Sequence, residues 1–157
     1  MSNAGPREPT LLLRRIQQIG LEFERALGRR LDVNPTDLLA MQHLMQSGPL
    51  GPSELARRLE ISTAATTAVV DRLTAVGHAH REQNPNDRRS VVVVPEPASV
   101  QTALGVIRPM ARGVDDVLDG FDDEQQAVIA DYLRRVAEVY SAAVPVRPED
   151  APDGSSA

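Results

Sequence analysis

Two sets of residues in the middle of the chain carry side chains suited to hold a polyanion and to read its bases. Ser62, Thr63, Thr66 and Thr67 crowd into one short stretch. Their hydroxyls can meet phosphates or base edges, and the threonine methyls can meet the methyl of thymine. Arg88 and Arg89 end the polar run 83–89, where a guanidinium can enter a narrow minor groove or bridge phosphates without first being buried. Asp87 beside them is expected to fix Arg89 or the turn through a charge-assisted hydrogen bond rather than to face DNA itself. Arg57, Arg58 and Arg72 are candidates for further phosphate contacts, although Arg72 follows Asp71 and reads equally well as one half of an internal ion pair. No Arg, Asn or Gln lies in 62–70, so the strongest two-pronged base readers are missing there and modest sequence discrimination is expected.

Other chemistries find little support. The chain has no cysteine, which excludes disulfides, thiolate zinc sites, iron–sulfur clusters and thiol redox sensing. His43, His78 and His80 share no tight ligand spacing with carboxylates, so no metal is expected. No glycine-rich phosphate loop or nucleophile elbow occurs, and the pairs Asp115-Asp116 and Asp122-Asp123 read as polar helix faces and caps. The expectation is therefore a binding protein, with no catalytic residue and no cofactor.

The elements that must position these residues can be read from periodicity. Leu12, Ile16, Ile19, Phe23 and Leu27 recur at helical spacing, predicting an amphipathic helix from Thr10 to about Arg30. Arg14-Arg15 and Arg29-Arg30 lie near its polar edge, as a solvated face or as phosphate or dimer contacts. Asn34-Pro35-Thr36-Asp37 is a helix start, followed by Leu38, Met41, Leu44 and Met45 and stopped by Ser47-Gly48-Pro49. Pro52 opens a short helix with Leu55, Ala56 and Leu59 inward. Ser62 caps the next, which packs Ala64, Val69, Val70, Leu73 and Val76 and ends near Gly77. Two short helices meeting at a tight turn make a helix-turn-helix. A hairpin follows, of 79–82 and the β-branched run 91–94, with an arginine-rich loop longer than a minimal turn needs. A further helix over 98–118 is expected to bend or break near Pro109, and Asp122 with Gln125 supplies a capping box for a last helix carrying Val128, Ile129, Leu133, Val136 and Val139.

At 157 residues, 41% hydrophobic and 25% charged, the composition is that of one ordinary globular domain. No apolar run approaches the roughly 18 residues of a membrane span, and the N-terminus lacks a secretory signal pattern. A cytoplasmic protein without membrane contact is the simplest reading. The net charge of −5 argues against indiscriminate attraction to nucleic acid, yet local arginines decide phosphate contact.

Pro52-Ser53-Glu54-Leu55-Ala56-Arg57-Arg58-Leu59, Ile61-Ser62, Val70-Asp71-Arg72-Leu73, Gly77 and Asn84-Pro85-Asn86-Asp87-Arg88-Arg89 resemble the core signature of the MarR family of winged-helix regulators. The order of elements is similar from about Thr10 to Tyr140. The resemblance implies a mainly helical fold with a small β-wing, a winged helix-turn-helix in an obligate dimer whose dimerisation helices come from both termini. Flexible tails would occupy 1–9 and 144–157, dimerisation helices 10–33 and 97–143, and the DNA-binding domain 34–96. It further implies that Ser62, Thr63, Thr66 and Thr67 face the major groove and that Arg89, positioned by Asp87, serves the wing. The expected function is a repressor that binds a pseudo-palindromic operator in double-stranded DNA as a homodimer. Release would follow when a small, possibly phenolic, ligand enters a crevice between the first two helices and the helix near 98–118, with Phe23, Met41, His43 and Met45 as pocket candidates. Four positions depart from the family pattern: Ala65 and Ala68 replace residues that are frequently polar, His78 replaces an aliphatic residue, and Pro95 replaces a threonine. The rival reading is a dimeric interaction module that keeps the winged fold with little specific DNA binding.

Overall fold

Asn34 shows in miniature how this chain starts its helices. Its side-chain oxygen accepts the N–H of Asp37 at 3.0 Å while Pro35, which has no N–H to satisfy, takes the first helical position. The same logic recurs at Ser62, whose hydroxyl accepts from the Ala65 N–H, and at Asp122, which forms the complete capping box with Gln125. A computed structural model describes residues 5–144. Most of the expected tails therefore lies outside the described residues.

The element order is α1 (Glu8–Leu31), α2 (Pro35–Ser47), α3 (Pro52–Leu59), α4 (Thr63–Ala75), β1 (Ala79–Asn84), β2 (Asp87–Pro95), α5 (Pro97–Leu118) and α6 (Asp123–Ala143). Helix α1 opens two residues before the predicted start at Thr10, because Pro9 is accepted in its first turn. Left-handed residues end the helices: Asp32 at φ 55°, Glu60 at φ 58° and Gly77 at φ 74°. Asp32 and Glu60 both place a side chain in a conformation that favours glycine, and Glu60, longer than the Asp and Asn that tolerate it best, is the less usual. Glu60 sits between α3 and α4. It makes the turn of the helix-turn-helix, with the Ile61 N–H reaching back to the Ala56 carbonyl at 3.2 Å.

The chain divides into two compact units, one through Pro109 and one from Met110. The first holds the core: Leu27 and Leu31 of α1, Met41 and Leu44 of α2, Leu55 of α3, Val69, Val70 and Leu73 of α4, Val93 of β2 and Ala103 of α5. His78 adds a polar tie. Its Nε2 lies 2.6 Å from the Leu31 carbonyl and its Nδ1 2.7 Å from Ser99 Oγ, and since a carbonyl only accepts, Nε2 is the donor. The position where the family pattern has an aliphatic residue thus links the end of α1 to the start of α5.

Strands β1 and β2 pair antiparallel from Ala79↔Pro95 to Gln83↔Val91, and Leu50 adds a bridge to Val93. The expected long loop is absent: only Pro85 and Asn86 separate the strands. The register instead jumps, so that Asn84 faces Asp87 while Gln83 faces Val91, and Arg88, Arg89 and Ser90 bulge from one strand. Side-chain hydrogen bonds replace the missing ladder. Gln83 Nε2 donates to the Arg88 carbonyl, Asn84 Nδ2 to Ser90 Oγ, and Ser90 Oγ to the Asp87 carbonyl.

The helices differ in how much of their apolar faces is covered. Helix α5 runs through Pro109 without a break, which leaves the bend of the two expected alternatives, and the boundary between the units falls at that residue. Ala64 and Val76, expected to pack the motif, are exposed, since Val69, Val70 and Leu73 already fill the space beneath α4. In the second unit no residue of α6 is buried, and Val128, Leu133 and Val139 are at least half exposed.

Leu44 is fully buried at the centre of the first unit. Leu44→Ala is expected to lower unfolding stability by about 2–5 kcal/mol, measured by urea denaturation.

Candidate nucleic-acid interface

Helix α4 presents Ser62, Thr63 and Thr67 to solvent, together with Ala64, Ala65 and Ala68. Thr66 departs from its expected place: it is wholly buried, and its Oγ1 donates to the Ser62 carbonyl at 3.1 Å. A residue one position from Thr67 is turned about 100° round the helix, and that rotation carries it from the open face to the core. Thr67 Oγ1 donates to the Thr63 carbonyl at 3.0 Å, which leaves the lone pairs of that oxygen able to accept on an exposed residue. The open face is shallow and uncharged, so a duplex could approach the backbone of α4 closely.

The orientation of α4 is set by charge. Arg72 donates through Nε and Nη2 to the two carboxylate oxygens of Asp37, at 2.9 and 2.6 Å. Asp37 is buried, while the Arg72 side chain is about half exposed at 49%. The hydrogen bond to Asp37 raises the Arg72 pKa, so the guanidinium stays charged throughout the physiological range and its contribution is lost as pH rises past that raised value. Arg72 forms an internal ion pair, with Asp37 as its partner and not Asp71. Asp71 instead receives Arg81 of β1 at 2.7 Å, tying the wing to the helix it flanks.

At the wing tip Arg88 and Arg89 are exposed and have no ion-pair partner among the described residues. Asp87 Oδ1 accepts the Arg89 backbone N–H at 3.0 Å, and Asn84 Oδ1 accepts the N–H of Asn86. Of the two roles open to Asp87, the turn is the one this hydrogen bond serves: it fixes backbone and leaves the Arg89 guanidinium unheld.

Arg57 and Arg58 are not free in the same way. Both converge on Glu54, with Arg57 Nε at 2.9 Å and Arg58 Nε at 2.6 Å, and Arg58 also donates to Ser47 Oγ. Hydrogen bonds from Arg57 and then Arg58 hold the Glu54 carboxyl down from 4.5 to about 2. Phosphate contact by either arginine must compete with this clamp. The sequence reading missed this clamp, and the spacing of three and four residues along a helix is the signal that could have found it. The roles of Asp37 and Arg81 had no such signal, since each partner lies on another element.

A crevice of about 450 Å³ lies between α1, α2 and α5 within the first unit. Met41 and Met45 line it, with Glu24, Leu31 and Ile107; Phe23 and His43 are half-buried and outside its lining. Among the described residues no group of three or more His, Cys, Asp or Glu side chains could hold a metal ion. Nor is any helix of the described residues long and apolar enough to cross a membrane.

Comparison with known proteins gives concordant findings. Residues 33–91 match the model of the MarR family. The HTH-type transcriptional regulator YcgE of Bacillus subtilis is 33% identical over 128 residues, covering 82% of this chain and 83% of that protein. The multiple antibiotic resistance protein MarR of Salmonella typhimurium is 35% identical over 63 residues, 40% of this chain and 44% of that protein. Among solved structures, a MarR-like transcriptional regulator of Thermotoga maritima superposes with a TM-score of 0.65 at 24% identity, covering 87% of this chain and 99% of that one. A MarR family protein of Bacillus stearothermophilus gives 0.61 at 22% identity, again over 87% and 99%. At these identities the structural matches speak to fold alone.

Burial separates the threonines by role. Thr66→Val is expected to keep duplex affinity within about twofold, whereas Thr67→Ala loses roughly three- to tenfold, both read by fluorescence anisotropy. Equal losses would return Thr66 to the contact face. A carbon-detected NMR titration of Glu54 is expected to show a midpoint near 2, moving back toward 4.5 in Arg57→Ala with Arg58→Ala. Because the folded value is depressed, the clamp contributes above the ordinary value and is lost as pH falls through about 2.

Proposed function

The chain belongs to the MarR family of winged-helix transcriptional regulators, and on that premise we propose that it acts as a homodimeric repressor of a pseudo-palindromic operator. The observation that carries this reading is the pairing of an uncharged threonine face on α4 with a wing whose two tip guanidiniums have no ion-pair partner among the described residues. Ser62, Thr63 and Thr67 enter the major groove in this reading. Arg88 and Arg89 take the neighbouring minor groove or its phosphates. Arg72 acts by setting the tilt of α4, and Arg57 contributes once phosphates compete for it with Glu54.

Dimerisation is supported by apolar stripes without cover. Leu12, Ile16 and Ile19 on α1 are about half exposed or more, as are Val128, Leu133 and Val139 on α6. Stripes of this length on a soluble protein mark an interface, and a two-fold pair of them presents two recognition helices about 34 Å apart, one duplex turn. The domain roles follow: dimerisation by 10–33 and 97–143, DNA binding by 34–96, in the cytoplasm. A small apolar ligand in the crevice between α1, α2 and α5 would favour a different separation of the two winged lobes and release the operator. Coupling of about 1–3 kcal/mol is enough for such a switch.

The exposed Ala64, Ala65 and Ala68 favour the second reading, an interaction module with the same fold. Selection from a random duplex pool at near-physiological salt separates the two. Enrichment of a palindrome is expected, with Arg89→Ala lowering the slope of log affinity against log salt by roughly 1. No enrichment, together with salt-independent behaviour of both proteins, would overturn the repressor reading.

A further inference from the structure

His78 is engaged through both ring nitrogens, and the network around it holds a different number of protons in each charge state of the ring. Nε2 donates to the Leu31 carbonyl at 2.6 Å. Nδ1 lies 2.7 Å from Ser99 Oγ, and that oxygen lies 3.2 Å from the Gly77 carbonyl. Ser99 has one hydroxyl proton for these two neighbours. In a neutral ring the single N–H is spent on Leu31, so Nδ1 accepts and takes the Ser99 proton. The carbonyl of Gly77, an exposed residue, is then left to water. In a charged ring Nδ1 donates as well, Ser99 Oγ accepts from it, and the hydroxyl proton turns to Gly77. Only the charged ring makes all three short contacts hydrogen bonds at once. Ser99 is 7% exposed, so water competes little for its hydroxyl.

Three elements meet at this point: the end of α1, the turn from α4 into β1, and the start of α5. Gly77 makes that turn at φ 74°. Its N–H and that of His78 donate to the Thr74 and Leu73 carbonyls at 3.1 and 2.8 Å. The C-terminal end of α1, where Leu31 offers its carbonyl, favours a cation. Arg30 and Asp32 bracket Leu31 and are exposed. On α4 the charges are already matched, Arg72 by Asp37 and Asp71 by Arg81 of β1. Glu96, ahead of α5, donates its N–H to the His78 carbonyl at 2.9 Å, while its carboxylate lies 2.5 Å from His80 Nδ1 and Glu82 stands 3.7 Å from His80 Nε2. Among the described residues no carboxylate pairs with His78 itself.

We propose that His78 is a proton-operated latch: the charged ring lets Ser99 tie the start of α5 to the turn that ends α4, and loss of the Nδ1 proton releases that tie. The bond to Leu31 persists in both states, so the proton acts on the Ser99–Gly77 contact alone. Histidine is the side chain that ordinarily changes charge between about pH 5 and 8, so the latch closes on mild acidification. The aliphatic residue of the family pattern at this position has no proton to exchange, and neither Leu31 nor Gly77 could be addressed by it. The consequence for operator binding, a firmer seat for α4 at the acid end, rests on the repressor reading; the latch itself does not.

The test uses the full chain without DNA, so its failure is separate from failure of the repressor reading. The ring nitrogens of His78 and the carbonyl carbon of Gly77 are followed by NMR from about pH 5 to 8. At the acid end both ring nitrogens are expected to carry protons. As pH rises Nδ1 alone loses its proton, and the Gly77 carbonyl signal moves with the same midpoint. Protection of the Gly77 and His78 amides, corrected for intrinsic exchange, falls roughly fivefold across the range. Ser99→Ala keeps the ring titration and loses the Gly77 response, Ser99→Thr restores it, and His80→Gln leaves it in place. A Gly77 carbonyl indifferent to pH, a response that survives Ser99→Ala or His78→Leu, a response lost in His80→Gln, or a neutral ring protonated on Nδ1 in place of Nε2 would each overturn the proposal.

Discussion

A carboxylate removed from water must be matched, and the way Asp37 is matched orders the DNA-facing half of this molecule. Asp37 is 3% exposed. It receives the Asn34 side-chain amide at 3.0 Å and both prongs of Arg72 from thirty-five residues away. Losing any of these donors would leave a buried charge under-satisfied, which is far more costly than losing a surface ion pair. The fork geometry of a guanidinium on a carboxylate fixes orientation as well as distance. The first turn of α2 and the last turn of α4 are therefore locked together, and α4 has little freedom to roll. Its threonine face and its buried Thr66 are two consequences of one constraint.

Charge elsewhere on the molecule follows a division of labour. Arginines that set geometry are engaged: Arg72 with Asp37, Arg81 with Asp71, Arg58 with Glu54 and Ser47. Those at the wing tip are left open, because the acid beside them is occupied with backbone. The hairpin compresses its reversal into Pro85 and Asn86 and extrudes Arg88 to Ser90 as a bulge. Bulges re-aim side chains at the edges of sheets, and here the re-aimed side chains are the two guanidiniums. A net charge of −5 is compatible with this arrangement, since contact with a duplex depends on which charges are free and where they point.

The remaining apolar surface is equally organised by geometry. Helix α1 has buried residues only at Leu27, Gly28 and Leu31, so its first four turns carry an apolar stripe that the described residues leave largely uncovered. His78 marks the point where that helix ends and α5 begins. The bonds from its ring to the Leu31 carbonyl and to Ser99 replace an apolar contact with a directional one, and directional contacts hold a register that packing alone would leave looser.

Much of this was written in local sequence. Asn34, Ser62 and Asp122 announced their helices because a cap needs only the next three residues. Apolar spacing located all six helices, and Val91 to Val94 located the second strand, because periodicity is itself a local signal. Glu54 with Arg57 and Arg58 could be read from spacing along one turn. What the tertiary structure alone decided were contacts between elements distant in the chain. Thr66 and Thr67 have the same chemistry, and only the roll of α4 imposed by Asp37 makes one core and the other surface. Asp71 lies next to Arg72 in sequence, yet neighbouring helical residues do not face each other, so Arg72 turned to Asp37 and Asp71 to Arg81. The tight reversal at Pro85-Asn86 also escaped the sequence, because a bulge is a property of two paired strands and has no signature in either one alone.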